Sequence, residues 1–563
     1  MTDMRRTLLW VIFTMSLVLL WDAWQKHNGQ PSMFSPAPAK TTAPPAAGPA
    51  PQGSAAPPAS GVPTPAVAAG SVTGPAVPEG APPSASQTFT VTTDRVRATF
   101  STRGGELQRL ELLQHRDAEA ADRNVTLFDQ SAQRVYLAQT GLVTTQAGVT
   151  LPNHLSTMRL VSGQAELKDG EPSVQVRFES PEVAGGVRLT KTYTLRRGDY
   201  TIGVTHEVIN GSASALEPQL YLQLVRDGNP PPGESSFYFT FTGPALYTDA
   251  KKFQKLDFKD IEKNKAEHEK SADNGWVAMV QHYFATAWIV GERQPREFRA
   301  ARLGDNLYSI ATVLPLGSLA PGATAVHEAR LFAGPQEERK LAELAPGLEL
   351  VKDYGWLTVL SKPLFWLLAQ LNDVIGNWGW AIVALVVLLK AAFYWLNASA
   401  YRSMGKMKAI NPRIMEMRER LKDKPQQMQQ EMMRIYKDEK VNPLGGCLPI
   451  LVQMPFFIAL YWVLLSSVEM RNAPWVGWIG DLAAPDPYFI LPLLMTASSL
   501  LQTWLNPTPP DPVQAKLMWI MPIAFSFMFF FFPAGLVLYW LTNNILSIAQ
   551  QWMINKQLGV LGK

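Results

Sequence analysis

Residues 376–402 read GNWGWAIVALVVLLKAAFYWLNASAYR, an apolar stretch long enough to cross a lipid bilayer as a helix. Trp378 and Trp380 near one end, and the pair Tyr401–Arg402 at the other, are typical of residues at the two membrane interfaces. Lys390 lies twelve positions from both Trp378 and Arg402. Because that separation is about 18 Å along a helix, the lysine side chain cannot reach either interface. The stretch therefore predicts one continuous helix with a cation near the middle of the membrane.

A lysine at this depth is costly and marks a functional position by default. None of the other long apolar segments carries an acidic residue away from its ends. We therefore expect water, backbone carbonyls and neutral polar side chains to surround Lys390. These neighbours predict a hydrated cavity within the membrane.

The distribution of charge predicts five further spans. Arg5–Arg6 precede an uncharged run that is interpreted as an uncleaved signal anchor. A cleaved signal peptide is the alternative, but the candidate cleavage site at Ala37–Pro38–Ala39 lies far beyond the run and contains proline. Leu517 to Asn555 is an uncharged run of 39 residues. As a helix it would measure about 58 Å, nearly twice the hydrocarbon thickness, so Pro533–Ala534–Gly535 is predicted to divide it. The predicted spans are 7–24, 377–401, 443–468, 487–505, 517–532 and 536–555.

Basic residues decide on which side of the membrane each connecting segment lies. In residues 402–440, eleven lysines and arginines outnumber six acidic residues. Short loops with such an excess face the cytoplasm. The same rule places both termini there, with cytoplasmic segments at residues 1–6, 506–516 and 556–563. Residues 25–346 and the loop 469–486 are then expected on the opposite side.

The chain between the first two spans divides into three segments. Residues 25–86 are mainly proline, alanine, glycine and serine, which predicts an extended linker. Residues 87–346 show period-two alternation, as in Val187–Leu195, and this pattern predicts one large antiparallel β-sandwich. Residues 354–375 are apolar but interrupted by lysine, proline and aspartate. They predict a helix that lies in the outer membrane interface.

Helical periodicity on both sides of Lys424–Pro425 predicts a helical hairpin over residues 402–440. The hairpin is rich in methionine, whose flexible side chain adapts to varied apolar partners. A contact surface for other proteins and packing between the two helices are both open interpretations. The candidate contact residues are Met415, Arg418, Met428 and Met432.

Several classes of protein are disfavoured. The single cysteine, Cys447, excludes an intrachain disulfide, and no metal or cofactor is expected. The seven histidines lie outside the apolar spans and are interpreted as surface or satisfied core residues. A net charge of +4 without a recognised motif argues against direct readout of nucleic acid. A polytopic transporter would need intramembrane acidic groups, and an envelope enzyme with a sugar-binding domain would need a catalytic constellation; both remain as alternatives.

Four motifs resemble those of a known family. They are Gly376–Asn–Trp–Gly379, Lys440–Val–Asn–Pro–Leu–Gly–Gly–Cys–Leu–Pro449, Gln453–Met–Pro455 and Phe532–Pro–Ala–Gly–Leu–Val–Leu–Tyr–Trp540. Through them the chain from Gly376 onward closely resembles the YidC-type membrane protein insertases, the bacterial branch of the Oxa/Alb family. The anchor, linker and large β domain match the Gram-negative form, whose periplasmic domain resembles a galactose-mutarotase-like supersandwich.

The resemblance implies a multi-pass inner-membrane protein that is not an enzyme and that inserts and helps fold newly synthesised membrane proteins. It implies a hydrophilic groove open to the cytoplasm and lipid but closed toward the periplasm. The implied partners are nascent membrane proteins, the Sec translocon, the ribosome or signal recognition particle pathway, and membrane lipids.

The resemblance also implies roles for particular residues. By motif position, the residues expected to contact a client are Gln453, Met454, Tyr539 and Trp540; ordinary packing between helices is the alternative. Many relatives have arginine where this chain has Lys390. Lysine keeps the positive charge of the groove but lacks the planar fork of donors.

Overall fold

The structure is a computed structural model of the 563-residue chain. It describes residues 86–559 except 118–119, 121, 132, 147–148, 182–185, 233–239, 423, 440–447 and 507–511. The predicted anchor 7–24 lies outside the described residues, as does the linker 25–86 apart from its last residue.

The first part of the described chain is built from β-strands. In chain order they are β1 (Thr88–Thr92), β2 (Val96–Ser101), β3 (Glu106–Arg116), β4 (Asn124–Thr126), β5 (Asp129–Gln130), β6 (Val135–Val143), β7 (Arg159–Gly163), β8 (Ser173–Glu179), β9 (Val187–Arg196), β10 (Thr201–Asn210), β11 (Gln219–Asp227), β12 (Gly243–Thr248), β13 (Lys252–Lys255), β14 (Ser271–Ala272), β15 (Trp276–Val280), β16 (Phe284–Val290), β17 (Arg296–Gly304), β18 (Leu307–Pro315) and β19 (Thr324–Pro335).

These strands form two antiparallel sheets. The first has the order β1-β2-β3-β6-β11-β18-β17-β14, with β4 paired to β3 and β5 to β6; the second has the order β13-β12-β15-β16-β19-β10-β9-β8-β7. Leu220, Leu222 and Leu224 of β11 share one buried core with Val174 and Val176 of β8. Because side chains alternate between the two faces of a strand, the period-two pattern places these residues between the sheets. The expected antiparallel β-sandwich is confirmed.

Polar groups tie the two sheets together inside this core. The ammonium of Lys191 on β9 donates hydrogen bonds to the carbonyl oxygens of Gly104 and Thr140, at 2.7 and 2.8 Å. His206 on β10 lies 3.0 Å from the Thr140 hydroxyl through its Nε2. Burial lowers the pKa of Lys191, and the neighbouring carboxylate of Glu106 opposes that shift. Since a buried polar group is costly without a partner, these contacts favour one relative position of the sheets.

Several histidines of the β domain are held in the neutral form. Burial lowers the pKa of His154 to about 3 and that of His282 to about 4. Burial also lowers the pKa of His206 well below its ordinary value, with Lys191 adding to the shift. The unfolded chain therefore binds more protons than the folded chain below about pH 6.5. Protonation of these histidines therefore favours the unfolded chain. The folded state has its full stability at neutral pH and loses part of it as the pH falls from about 6.5 toward the lower pKa values of the folded state.

We predict that the free energy of unfolding decreases between pH 6.5 and pH 4, by up to about 1.4 kcal/mol per pH unit for each such histidine. Denaturant unfolding of the full chain in detergent, followed by tryptophan fluorescence, measures the slope. His282→Gln keeps a side-chain donor but cannot be protonated. It should lower the slope by up to about 1.4 kcal/mol per pH unit, which is the contribution of one proton. A profile that is flat from pH 7 to pH 5 would contradict the prediction.

Helices form most of the rest of the described chain. They are α1 (Phe258–Glu262), α2 (Glu338–Leu344), α3 (Thr358–Ile375), α4 (Trp378–Ala392), α5 (Tyr394–Arg420), α6 (Pro425–Asp438), α7 (Leu448–Ser466), α8 (Ile490–Leu505), α9 (Pro512–Phe529) and α10 (Ala534–Gln557). The turn between α3 and α4 is short because Gly376 adopts a positive φ of 73° at the end of α3, which favours glycine. The Asn377 side chain then caps α4 by accepting from the backbone N–H of Trp380 at 3.1 Å.

The expectation of one continuous helix over residues 377–401 is wrong. The chain bends by 69° between α4 and α5, and Lys390 lies in the last turn of α4. No proline or glycine occurs at the bend. Phe393 instead packs edge-to-face on Phe456 of α7 at 5.1 Å, and the Gln550 amide donates to the Tyr394 carbonyl at 3.1 Å. Contacts with other helices therefore stabilise a bend that the local sequence does not predict.

The length and composition of the helices determine which of them could span a membrane. Within the described ranges, no single helix is long and apolar enough to cross a bilayer by itself, whereas α4 and α5 meet that requirement together across their bend. The six predicted spans therefore stay a prediction.

The β domain is packed against the helices rather than only joined to them. Val468, in the turn after α7, belongs to the core of the β domain. His282 Nε2 lies 2.9 Å from the carbonyl oxygen of Leu465 in α7. The fully buried ammonium of Lys352 forms an ion pair with Glu469 at 3.0 Å. The outer end of α7 is therefore held by both apolar and ionic contacts.

Two further contacts extend this junction. Arg471 donates to the carbonyl of Arg116 at 2.7 Å, and its guanidinium lies 5.1 Å from the centre of the Tyr283 ring. Arg339 donates two hydrogen bonds of 3.0 Å to the carboxylate of Asp373 in α3. The ends of α3 and α7 are thus tied to the same domain.

We predict that Lys352→Met destabilises the full chain by about 3 kcal/mol, because it leaves the Glu469 carboxylate without its cation in a largely buried position. The double variant Lys352→Met/Glu469→Gln should cost less than the sum of the two single variants. Lys340→Met removes the exposed pair with Glu337 and serves as the control, with an expected cost below about 1 kcal/mol. Denaturant unfolding in detergent measures all four; equal costs for Lys352→Met and Lys340→Met would contradict the prediction.

Candidate functional site

The candidate site centres on Lys390 at the end of α4. Its ammonium donates a 2.7 Å hydrogen bond to the hydroxyl of Ser547 on α10. Within the part of the chain that the structure describes, no carboxylate pairs with this ammonium. The positive charge is therefore solvated by a neutral group and is not cancelled.

Ser547 belongs to a row of polar side chains along α10. The row is Asn543, Asn544, Ser547, Gln550, Gln551 and Asn555, with spacings that return to one side of a helix. Asn544 donates to the Ser498 hydroxyl at 2.8 Å, and Gln551 donates to the Asn506 side chain at 2.9 Å. The row thus links α10 to the polar residues of α8. We call these six residues the polar row.

Sequence reasoning did not single out the polar row. Its signal was present, because amides and hydroxyls recur three or four positions apart within an uncharged segment. The spacing alone did not show which neighbouring helices would accept these hydrogen bonds.

Gln453 and Met454 of α7, the first two expected client contacts, point in different directions. The Gln453 amide is half-buried and donates to the Asn397 side chain of α5 at 2.8 Å. Met454 is 46% exposed. Gln453 therefore faces the interior of the helices, while Met454 is available at the surface.

Tyr539 and Trp540, the other two expected contacts, pack among aromatic rings. Tyr539 is buried and lies 5.8 Å from the ring of Phe457 on α7. The Trp540 ring lies 4.9 Å from Phe529 and 5.6 Å from Phe532. Both residues make interhelical contacts in this conformation, and their role as client contacts stays a prediction.

A small cavity brings several candidate residues together. It has a volume of about 30 Å³, and its polar lining comes from Lys390, Gln453, Tyr539 and Asn543. Aromatic and aliphatic side chains, including those of Phe393 and Leu389, form the remaining wall. A site of this size and polarity is large enough for a water molecule. Four polar groups from three helices therefore converge on one point.

A second, larger cavity lies between α8 and α9. Its volume is about 570 Å³, and apolar side chains such as Met495, Met521 and Phe525 form most of its wall. Gln502 and Asn506 add polar groups near the end of α8. Large apolar side chains of the same two helices are exposed, among them Leu493, Ile520, Ile523 and Phe527. The polar interior is therefore flanked by apolar surface.

The hairpin residues divide between its interior and its surface. Met428 and Met432 of α6 pack against a small core that includes Ile414 and Met417 of α5. Met415 is 50% exposed, whereas Arg418 is half-buried. Packing thus accounts for two of the three methionines singled out, and Met415 remains on the surface.

Comparison with known families covers most of the chain. Residues 88–367 match the family described as YidC periplasmic domain. Residues 370–559 match the family described as 60Kd inner membrane protein. The two matches meet where the β domain joins the helices, so they define an inner-membrane protein with a periplasmic domain.

Curated relatives extend this match to nearly the full length. The chain is 54% identical over 558 residues to a membrane protein insertase YidC of Cupriavidus metallidurans, covering 99% of this chain and 98% of the relative. It is 51% identical over 572 residues to a membrane protein insertase YidC of Janthinobacterium sp., covering 99% and 100%. The chain belongs to the YidC family of membrane protein insertases, and the resemblance seen in the four motifs is confirmed.

Solved structures give weaker likenesses. An active YidC insertase with its first transmembrane domain resolved has a TM-score of 0.38 at 18% identity, covering 82% of this chain and 91% of its own. A putative aldose 1-epimerase from Escherichia coli K12 has a TM-score of 0.28 at 13% identity, covering 44% of this chain and 99% of its own. The family assignment rests on the sequence matches alone.

Proposed function

We propose that this chain inserts newly synthesised proteins into the inner membrane and helps them fold there. Its membership in a family of membrane protein insertases supports this function. The observation that carries the mechanism is the position of the Lys390 ammonium beside the polar row, with a hydroxyl and not a carboxylate as its partner. This arrangement offers positive charge and hydrogen bonds to a polar segment of a client.

The physical task is to move the polar flank of a client past hydrocarbon. Each unsatisfied polar group in lipid costs several kcal/mol. The polar row and the cavity at Lys390 supply hydrogen-bonding partners and so shorten the dry part of the path. Lys390 attracts acidic flanks, and this attraction is strengthened where little water screens it.

The apolar segment of the client needs a different surface. Exposed side chains of α8 and α9, such as Leu493, Ile520 and Phe527, lie beside the polar interior. Each large apolar side chain of the client gains about 1.5–3 kcal/mol when it leaves water. The sequence carries no recognised nucleotide motif, so we assign the driving force to this burial while the ribosome supplies the chain.

The topology is part of the proposal. Six spans place the β domain in the periplasm and both termini in the cytoplasm, in agreement with the distribution of lysine and arginine. The helix α3 fits a position at the outer interface, because Val359, Trp366 and Val374 are exposed while Leu364 and Leu368 pack inward. Its exposed apolar side then contacts lipid.

The hairpin of α5 and α6 is proposed to receive clients on the cytoplasmic side. Its basic charge and the exposed Met415 support contact with nascent chains, delivered from the ribosome or by the signal recognition particle pathway. Work alone or beside the Sec translocon follows from the family resemblance. These partners are proposals, as is the groove open to the cytoplasm and closed toward the periplasm.

The topology predicts the accessibility of two surface positions. A cysteine at Ser131 should react with a membrane-impermeant thiol reagent from the periplasmic side, whereas a cysteine at Gln427 should react only after the membrane is opened. Both variants are made in a Cys447→Ser background and read out in spheroplasts. Reaction of the Gln427 position from outside would refute the six-span arrangement.

The role of Lys390 predicts a dependence on client charge. Lys390→Ala should reduce insertion of a client with an acidic translocated segment roughly tenfold, which corresponds to about 1.4 kcal/mol. The matched client with a neutral segment should lose much less. Lys390→Arg should preserve insertion of both, because the charge is retained.

Lys390→Gln separates charge from hydrogen bonding. If the charge matters, Gln should behave like Ala for the acidic client. Rescue of both clients by Gln, together with lower thermal stability of the Ala variant, would show that Lys390 acts only as a structural hydrogen-bonding group. Insertion into proteoliposomes, scored by protease protection, measures all of these variants.

A further inference from the structure

The hydroxyl of Ser547 is oriented by its own helix. It is buried, with 4% of the residue exposed, and it donates a 2.8 Å hydrogen bond to the carbonyl of Asn543. A serine hydroxyl has one hydrogen and two lone pairs. Because the hydrogen is used on Asn543, the oxygen presents a lone pair to the ammonium of Lys390 at 2.7 Å.

This acceptor acts on a side chain that is otherwise free to move. Lysine carries its charge on a flexible four-carbon stem, without the planar fork with which arginine forms several hydrogen bonds at once. Lys390 also lies in the last turn of α4, next to the bend at Phe393. Without an acceptor at a fixed position, the ammonium would sample several rotamers and spend less time at the cavity.

Ser547 contacts both sides of the bend. Lys390 reaches it from α4, and the side chain of Tyr401 on α5 lies beside it from the other side. The same ammonium lines the 30 Å³ cavity with Gln453 and Asn543. An ammonium has three donors, so the bond to Ser547 leaves two for water or a client at this cavity.

We propose that Ser547 is a positioning residue that holds the Lys390 ammonium at the small cavity and thereby sets the preference of the protein for clients with acidic translocated segments. This inference rests on the proposed insertase function. In this proposal the neutral hydroxyl of Ser547 keeps the flexible Lys390 side chain within reach of a client carboxylate.

The first test removes the hydroxyl. Ser547→Ala should lower insertion of the acidic client roughly fivefold, the scale of one ordinary hydrogen bond, and change insertion of the neutral client by less than about twofold. Ser547→Thr keeps a hydroxyl and should restore insertion of the acidic client.

A matched serine controls for the loss of a buried hydroxyl. Ser526 on α9 is equally buried, at 3% exposed, and donates to the carbonyl of Pro522 four residues earlier, as Ser547 does to Asn543. Ser526→Ala should leave the ratio of acidic to neutral insertion unchanged. Thermal unfolding in detergent compares the stability of the two alanine variants.

The second test asks whether Ser547 acts through Lys390. In a Lys390→Ala background, Ser547→Ala should have no further effect on either client. The proposal is overturned if Ser547→Ala lowers both clients equally, if its effect persists without Lys390, or if insertion of the acidic client does not change. Failure of the unmodified protein to insert either client would instead refute the proposed function itself.

Discussion

A positive charge placed among apolar helices must be solvated by the protein, and the arrangement around Lys390 follows from that constraint. The charge lies at the end of α4, where a 69° bend carries the chain into the hairpin. Ser547 accepts from the ammonium, and Gln550 from the same helix donates to the Tyr394 carbonyl at the bend. The polar row of α10 therefore stabilises both the charge and the change of direction beside it.

Two buried lysines and the half-buried Lys390 differ in the partner that each ammonium has. Lys352 pairs with the carboxylate of Glu469, and Lys191 lies near that of Glu106 while donating to backbone carbonyls. In these two cases the charge is offset, and the lysine fastens one part of the fold to another. Lys390 has a hydroxyl as its partner, so its hydrogen bonding is partly satisfied while its charge is not. The positive potential that remains at Lys390 is the feature on which the proposed attraction of acidic client segments depends.

The junction between the β domain and the helices holds the end of α7 in place. The turn after α7 enters the core of the β domain through Val468, and the Leu465 carbonyl at the end of α7 is bonded by His282. The same helix carries Gln453, which lies at the small cavity with Lys390. The β domain therefore restricts the position of the helix that carries Gln453.

Local patterns in the sequence were enough to predict the class of the molecule, its β-sandwich and its helical hairpin. Period-two alternation predicted the β-sandwich because side-chain direction in a strand follows from local geometry, and motifs such as Gln453–Met–Pro455 identified the family. The bend at Phe393 and the pairing of Lys390 with Ser547 depend instead on contacts between helices. Neither could be read locally: no helix-breaking residue marks the bend, and 157 positions separate the two partners. Contacts between helices select one conformation among several that the local sequence permits.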